Sequence, residues 1–158
     1  MMRNPLAVPG TADEDPLTVA LLSEILSIEQ HARTRIQRAL PAGMQLSHYM
    51  VLTHFARQGG ERTPAQLARI FQVTRGAMTN TLQRLDDAGY IHIRPDWEDG
   101  RRKYVSASRA GLEARQRAVA AVAPVFSELA ERLGPDKLRA LLPVLRHMRI
   151  LLDAREQQ

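Results

Sequence analysis

Ten polar residues carry most of the chemistry legible in this sequence, and they fall in two clusters. The first is Thr74, Arg75, Thr79, Asn80, Gln83 and Arg84; the second is Asp99, Arg101, Arg102 and Lys103. Arginine offers a planar fork that fits the edge of guanine, and asparagine pairs in the same way with adenine, so Arg75 and Asn80 suit base edges in a major groove. The hydroxyls of Thr74 and Thr79 suit phosphate oxygens. Gln83 and Arg84 suit either. The tip Asp99-Gly100-Arg101-Arg102-Lys103 adds a dense basic run, with Arg102 and Lys103 suited to phosphate. Duplex DNA is the ligand this set implies.

Other chemistries find little support. The five histidines, His31, His48, His54, His92 and His147, are scattered, and His48 and His54 are not at helical ligand spacing. No His-Glu-x-x-His run, P-loop, nucleophile elbow or framed carboxylate pair is present. The sequence therefore reads as a non-enzyme with no cofactor and no metal. It has no cysteine, which removes disulfides, thiolate zinc sites and thiol redox sensing. The first residues lack the apolar segment of a signal peptide, and no apolar run is long enough to span a membrane. A cytoplasmic location is the expectation.

The net charge is +5, and Lys103 and Lys137 are the only lysines. Arginine makes bidentate contacts that lysine cannot copy, although a GC-rich genome favours arginine codons as well. Residues 61–110 contain nine basic and six acidic residues, so placement matters more than total charge.

The elements that must position these residues follow from periodicity. Leu17, Leu21, Ile25, Ile28, Ala32, Ile36 and Leu40 form one face of a long helix. Ser47 is placed to cap a second helix with Val51, Leu52 and Phe55 inward, closed by Gly59-Gly60. Thr63-Pro64-Ala65-Gln66 is a capping box with proline at the first helical position. Leu67, Ala68 and Phe71 face inward, and Gln72-Val73 makes a tight turn. Thr74 caps the next helix. There Met78, Leu82 and Leu85 form the buried stripe, which leaves the first polar cluster on the opposite face. Gly89 ends it. Residues 90–94 and 102–106 read as a hairpin, with Ile91 and Ile93 inward and Trp97 packed on its stem. Ser108 caps a long helix through Ala118, Val122, Val125 and Leu129, with Pro124 inside it. Leu138, Leu141, Leu145, Met148 and Leu152 mark a last one. Met44, Met50, Met78 and Met148 read as core filler.

The fold class is mainly α with a small β-hairpin wing. Residues 1–15 read as a disordered arm, 46–107 as a winged helix-turn-helix, and 16–42 and 108–155 as dimerisation helices. The end helices have apolar faces too long for a small winged domain to cover, which implies a homodimer.

LSHYMVLTHFA, VTRGAMTNTLQRLDDAGYI and DGRRKYVSASRAG together resemble the MarR family of bacterial transcription regulators, over about residues 17–152. Ala107-Ser108 stands where that family has Leu-Thr, and Ser108 keeps the capping oxygen. The resemblance implies a homodimer on a pseudo-palindromic operator, usually a repressor released by a small molecule. It implies that Arg101 enters the minor groove and that Asp99 holds it by a salt bridge. It also implies an effector, such as a small aromatic or phenolic acid, in a pocket lined by the first, second and fifth helices, for which His31, Arg35 and His48 are candidates. Two other readings stay open. One is a constitutive or architectural DNA-binding protein without a sensor. The other is a winged helix used only for protein contact, against which Arg75 and Arg101-Arg102-Lys103 argue.

Overall fold

The computed structural model describes residues 16–155. Six helices and one hairpin follow in order: α1 (Pro16–Ala39), α2 (Leu46–Gln58), α3 (Pro64–Ile70), α4 (Arg75–Asp87), β1 (Ile91–Pro95), β2 (Lys103–Ala107), α5 (Arg109–Leu133) and α6 (Pro135–Arg155). This is the mainly helical, winged architecture expected from the sequence. The expected arm at 1–15 lies outside the described residues. The chain divides after Arg35 into two units.

The first unit holds most of α1. An i,i+4 ion pair, Glu29–Arg33, lies along it. Its apolar stripe stands exposed in the single chain, with Leu17 at 75% and Leu21, Leu26 and Ile28 also open.

The second unit contains the core. Val51, Leu52 and Phe55 from α2 meet Leu67 and Ala68 of α3, Met78, Leu82 and Leu85 of α4, Ile91 and Val105 of the hairpin, and Ala114, Ala118 and Val122 of α5. Burying each of the larger aliphatic side chains contributes about 1.5–3 kcal/mol before conformational entropy is counted. Met44 and Met78 are core, as expected, but Met50 is exposed.

Caps set the ends of the helices. Thr63 Oγ1 accepts the N–H of Gln66 at 3.2 Å, and Gln66 Oε1 accepts the N–H of Thr63 at 2.8 Å. Thr74 Oγ1 accepts the N–H of Ala77 at 3.2 Å. The turn between α3 and α4 is made by Gln72 at φ +51°, a left-handed conformation. The start of α2 differs from expectation. Gln45, not Ser47, is the capping position, and His48 Nδ1 accepts its N–H at 3.2 Å. The imidazole accepts the N–H of the capping residue itself, whereas a Ser47 hydroxyl would have accepted an N–H of the helix's first turn.

The hairpin pairs Ile91 with Ala107 and Pro95 with Lys103. A further rung joins it to the α2–α3 link: the N–H of Arg62 donates to the Val105 carbonyl at 3.0 Å, and the N–H of Val105 donates back at 2.9 Å. Ile91 is buried, but Ile93 is 37% exposed: it lies on the edge strand, while Val105 opposite it, flanked by β1 and the Arg62 rung, is fully buried. Trp97 does not pack on the stem; it is 88% exposed.

Ser108 Oγ accepts the N–H of Gly111 at 3.0 Å and donates to the Gly89 carbonyl at 2.7 Å, fixing the start of α5 to the end of α4. Beyond Val122 the helix leaves the core, and Phe126 and Leu129 are exposed. On α6, Leu141, Leu145, Ile150 and Leu152 are exposed as well.

Candidate nucleic-acid interface

The N-terminal cap at Thr74 and the buried side of α4 determine what α4 shows to solvent. With Met78, Thr81, Leu82 and Leu85 inward, Arg75, Thr79, Asn80 and Gln83 point outward. Thr81 completes the buried side by donating its hydroxyl to the Ala77 carbonyl at 3.1 Å. The outer residues are partly engaged already. Thr79 Oγ1 donates to the Arg75 carbonyl at 2.8 Å and keeps its lone pairs as acceptors. Gln83 Nε2 donates to Asp87 at 2.8 Å.

A cleft of about 600 Å³ lies between α3, the start of α4 and β2. Arg75 and Thr79 line it from α4, and Arg101, Arg102, Lys103 and Tyr104 from the wing. Five of the ten expected residues therefore meet in one concavity. Thr74, Asn80, Gln83, Arg84 and Asp99 are not on its walls. Sequence reasoning missed Gln66, Arg69 and Tyr104, which also line it. Arg69 was within reach, since it sits on the polar side of α3 opposite Leu67 and Ala68. Arg69, Arg75, Arg101, Arg102 and Lys103 give the walls five cations, and no carboxylate is among them. A concave cationic surface focuses field lines and attracts a polyanion.

The wing tip is organised by its acids. Asp96 Oδ1 accepts the N–H of Glu98 at 3.0 Å, and this bond holds the Asp96 carboxyl below the usual carboxylate range. Asp99 Oδ1 accepts the N–H of Arg101 at 3.1 Å. The expected Asp99–Arg101 salt bridge is absent among the described residues; the ion pair runs instead from Asp99 to Arg102 Nε, at 3.7 Å. The backbone turn explains the exchange, since the N–H of Arg102 donates to the Asp99 carbonyl at 2.8 Å and brings residue 102 back over residue 99.

At the stem, Arg94 forks onto Glu61, its Nε donating to Oε1 at 2.8 Å and its Nη2 to Oε2. The guanidinium holds the Glu61 carboxyl below its ordinary range, and the carboxylate raises Arg94 in return.

Arg84 is set apart from the other reader residues. Its charge reaches His48, whose pKa falls below the ordinary value first through burial and then through Arg84. His48 itself is buried, with Nδ1 committed to the cap and Nε2 without a partner among the described residues. His31 and Arg35 are exposed on α1 in the first unit. Within the second unit, a smaller cavity of about 390 Å³ is lined by Pro41, Met44, Tyr90, Ala114 and Arg117, and His48 is not on its wall. Among the described residues no group of His, Asp or Glu is arranged to hold a metal, and no helix is long and apolar enough to cross a membrane.

The MarR family model matches residues 42–102, which hold α2, α3, α4, β1 and the wing tip. The fold is similar to that of apo wild-type MarR from E. coli, with a TM-score of 0.71 and 24% identity over 81% of this chain and 95% of that one. A mutant of E. coli MarR complexed with operator DNA matches with a TM-score of 0.72 and 23% identity, over 87% of this chain and 99% of that one. Bordetella bronchiseptica BpsR, whose DNA binding is regulated by 6-hydroxynicotinic acid, matches with a TM-score of 0.70 and 17% identity, over 82% and 98%. No curated protein matches the chain significantly.

Proposed function

We propose that this chain is a MarR-family winged-helix transcription regulator that binds a two-fold-symmetric DNA operator as a homodimer and acts as a repressor; the family match over residues 42–102 and the shared fold support this. The observation that carries this reading is the cleft between α3, α4 and the wing, with five cations and no carboxylate on its walls. In this reading α4 enters the major groove, with Arg75 and Asn80 on base edges. Thr74, Arg102, Lys103 and Arg69 hold phosphates, which supply affinity but not sequence preference, and Thr79 joins them by turning its hydroxyl away from the Arg75 carbonyl. Gln83 lies further along the helix and contacts either. Asp99 shapes the wing tip, and Arg101 enters the flanking minor groove, where a guanidinium responds to groove potential. Arg84, exposed further along α4 and off the cleft walls, contacts base or phosphate as Gln83 does.

The exposed apolar faces of α1 and α6 support dimerisation. Sedimentation should give twice the chain mass, and a monomer would remove the two-fold geometry. Two reader helices must then sit about 34–36 Å apart to enter successive major grooves. A small aromatic acid that binds one spacing better than another would release the DNA, and BpsR supports that mode of control. A regulator without an effector is the second reading. The engagement of His48 Nδ1 in the helix cap favours it, because only Nε2 of that ring is left for a ligand.

The test is selection from a pool of random-sequence duplexes by the wild-type chain. The proposal expects enrichment of one motif in two inverted copies. A pool that stays random after repeated rounds would overturn it.

A further inference from the structure

We propose that Glu61 is a positioning residue for DNA binding: through Arg94 it sets the angle of the β1–β2 wing and the place of Tyr104 in the cleft wall. This rests on the DNA-binding reading of the same cleft. The wing is a two-stranded hairpin, and such a hairpin has little stability of its own. Two attachments at its stem tie it to the α2–α3 link. One is the backbone rung between Arg62 and Val105. The rung holds β2 at Val105 through two backbone bonds, but it does not hold β1. The other is the fork from Arg94 to Glu61, with both carboxylate oxygens engaged. Parallel two-point contacts of this kind fix a plane as well as a distance.

Arg94 also carries the constraint across the hairpin. It stands directly opposite Tyr104 in the register, and its guanidinium carbon lies 4.9 Å from the centre of the Tyr104 ring. Tyr104 lines the cleft beside Lys103, while Arg94 and Glu61 do not. Glu61 therefore acts at one remove, holding Arg94, which holds Tyr104 and the strand that delivers Arg101, Arg102 and Lys103. Arg94 is held through both Nε and Nη2 by Glu61 and is not on the cleft walls.

The experiment separates position from charge by sign. The Glu61→Gln variant loses a negative charge close to a cationic DNA face, and by charge alone it should bind DNA more tightly. Positioning predicts the reverse: about tenfold weaker binding to a duplex selected by the wild-type chain, with an unchanged salt dependence because no phosphate contact is lost. Exchanging the pair, Glu61→Arg with Arg94→Glu, should recover most of that loss. If a melting curve shows that Glu61→Gln is unfolded, Arg94→Lys is read in its place. Lysine keeps the charge but not the fork, and the same weakening is expected. Equal or tighter binding by a folded Glu61→Gln variant would overturn the inference. So would a folded exchange variant with no recovery, or an Arg94→Gln variant with a flatter salt dependence, which would make Arg94 a phosphate ligand. If the wild-type chain selects no duplex, the DNA reading itself falls and takes this inference with it.

Discussion

Asp99 accepts the backbone N–H of Arg101 at 3.1 Å but directs its other oxygen to Arg102, at 3.7 Å. The Arg101 guanidinium is thus presented from an ordered turn without an ion pair among the described residues. The Arg101→Ala variant should bind the selected duplex more weakly, and the slope of log affinity against log salt should fall by about one if it holds a phosphate. Its melting temperature should not change, since the side chain is exposed. Unchanged affinity across the salt series would take the wing tip out of the interface.

Trp97 is the sole tryptophan, and it stands 88% exposed in the loop that Arg101 closes. Asp96 opposes Arg102 through a 2.9 Å backbone bond, so Trp97 and Arg101 stand on facing sides of the loop. Its fluorescence should change when the duplex is added, and acrylamide quenching should diminish. A spectrum and a quenching constant indifferent to DNA, under conditions where binding is seen by another method, would mean that the tip stays in water.

Elements defined by local chemistry were legible in the sequence. The Thr63–Gln66 box, the Thr74 and Ser108 caps and the Met78–Leu82–Leu85 stripe all stand where residue type and spacing place them. Features that depend on long-range approach were not. Glu61 and Arg94 are 33 residues apart, and nothing in either neighbourhood marks them as partners. The alternation that put Ile93 inward is correct as a register, but it does not tell that the Arg62 bridge covers β2 and leaves β1 at the edge. His48 stood out in the sequence only as a ligand candidate, and its bond to the Gln45 N–H depends on backbone geometry that residue spacing does not show.

Gly111 sits in the first turn of α5, where a β-carbon would come within 2.0 Å of the Tyr90 carbonyl oxygen and 3.0 Å of Leu52 Cδ2. The obstruction is backbone and cannot rotate away. The Gly111→Ala variant should lose about 1–3 kcal/mol or more by urea unfolding. Gly76, helical and with open space around it, should gain up to about 1 kcal/mol on the same change. Equal effects at the two sites would mean that the contact of α5 with Tyr90 is looser than described.

The depressed pKa of His48 gives the fold a pH dependence of definite sign. The folded state favours the neutral ring, so the unfolded chain binds the extra proton. The contribution is constant above the unfolded value of about 6.5; stability is lost as pH falls below it, down to the lowered folded value. The His48→Gln variant keeps an acceptor for the Gln45 N–H and should show a shallower decline. His54, also lowered by burial and by Arg62, should leave a remainder. Urea midpoints between pH 7.5 and 5 that decline equally in both chains would assign the effect elsewhere.

Sequence-specific reading of DNA by α4 and the wing is the central claim, and the ratio of two affinities tests it most directly. The wild-type chain is titrated, at one fixed salt concentration, with the selected duplex and with a shuffled duplex of the same composition. The account predicts a preference of at least about a thousandfold for the selected sequence, and a much smaller one for the Arg75→Ala variant. Equal affinity for the two duplexes would contradict it.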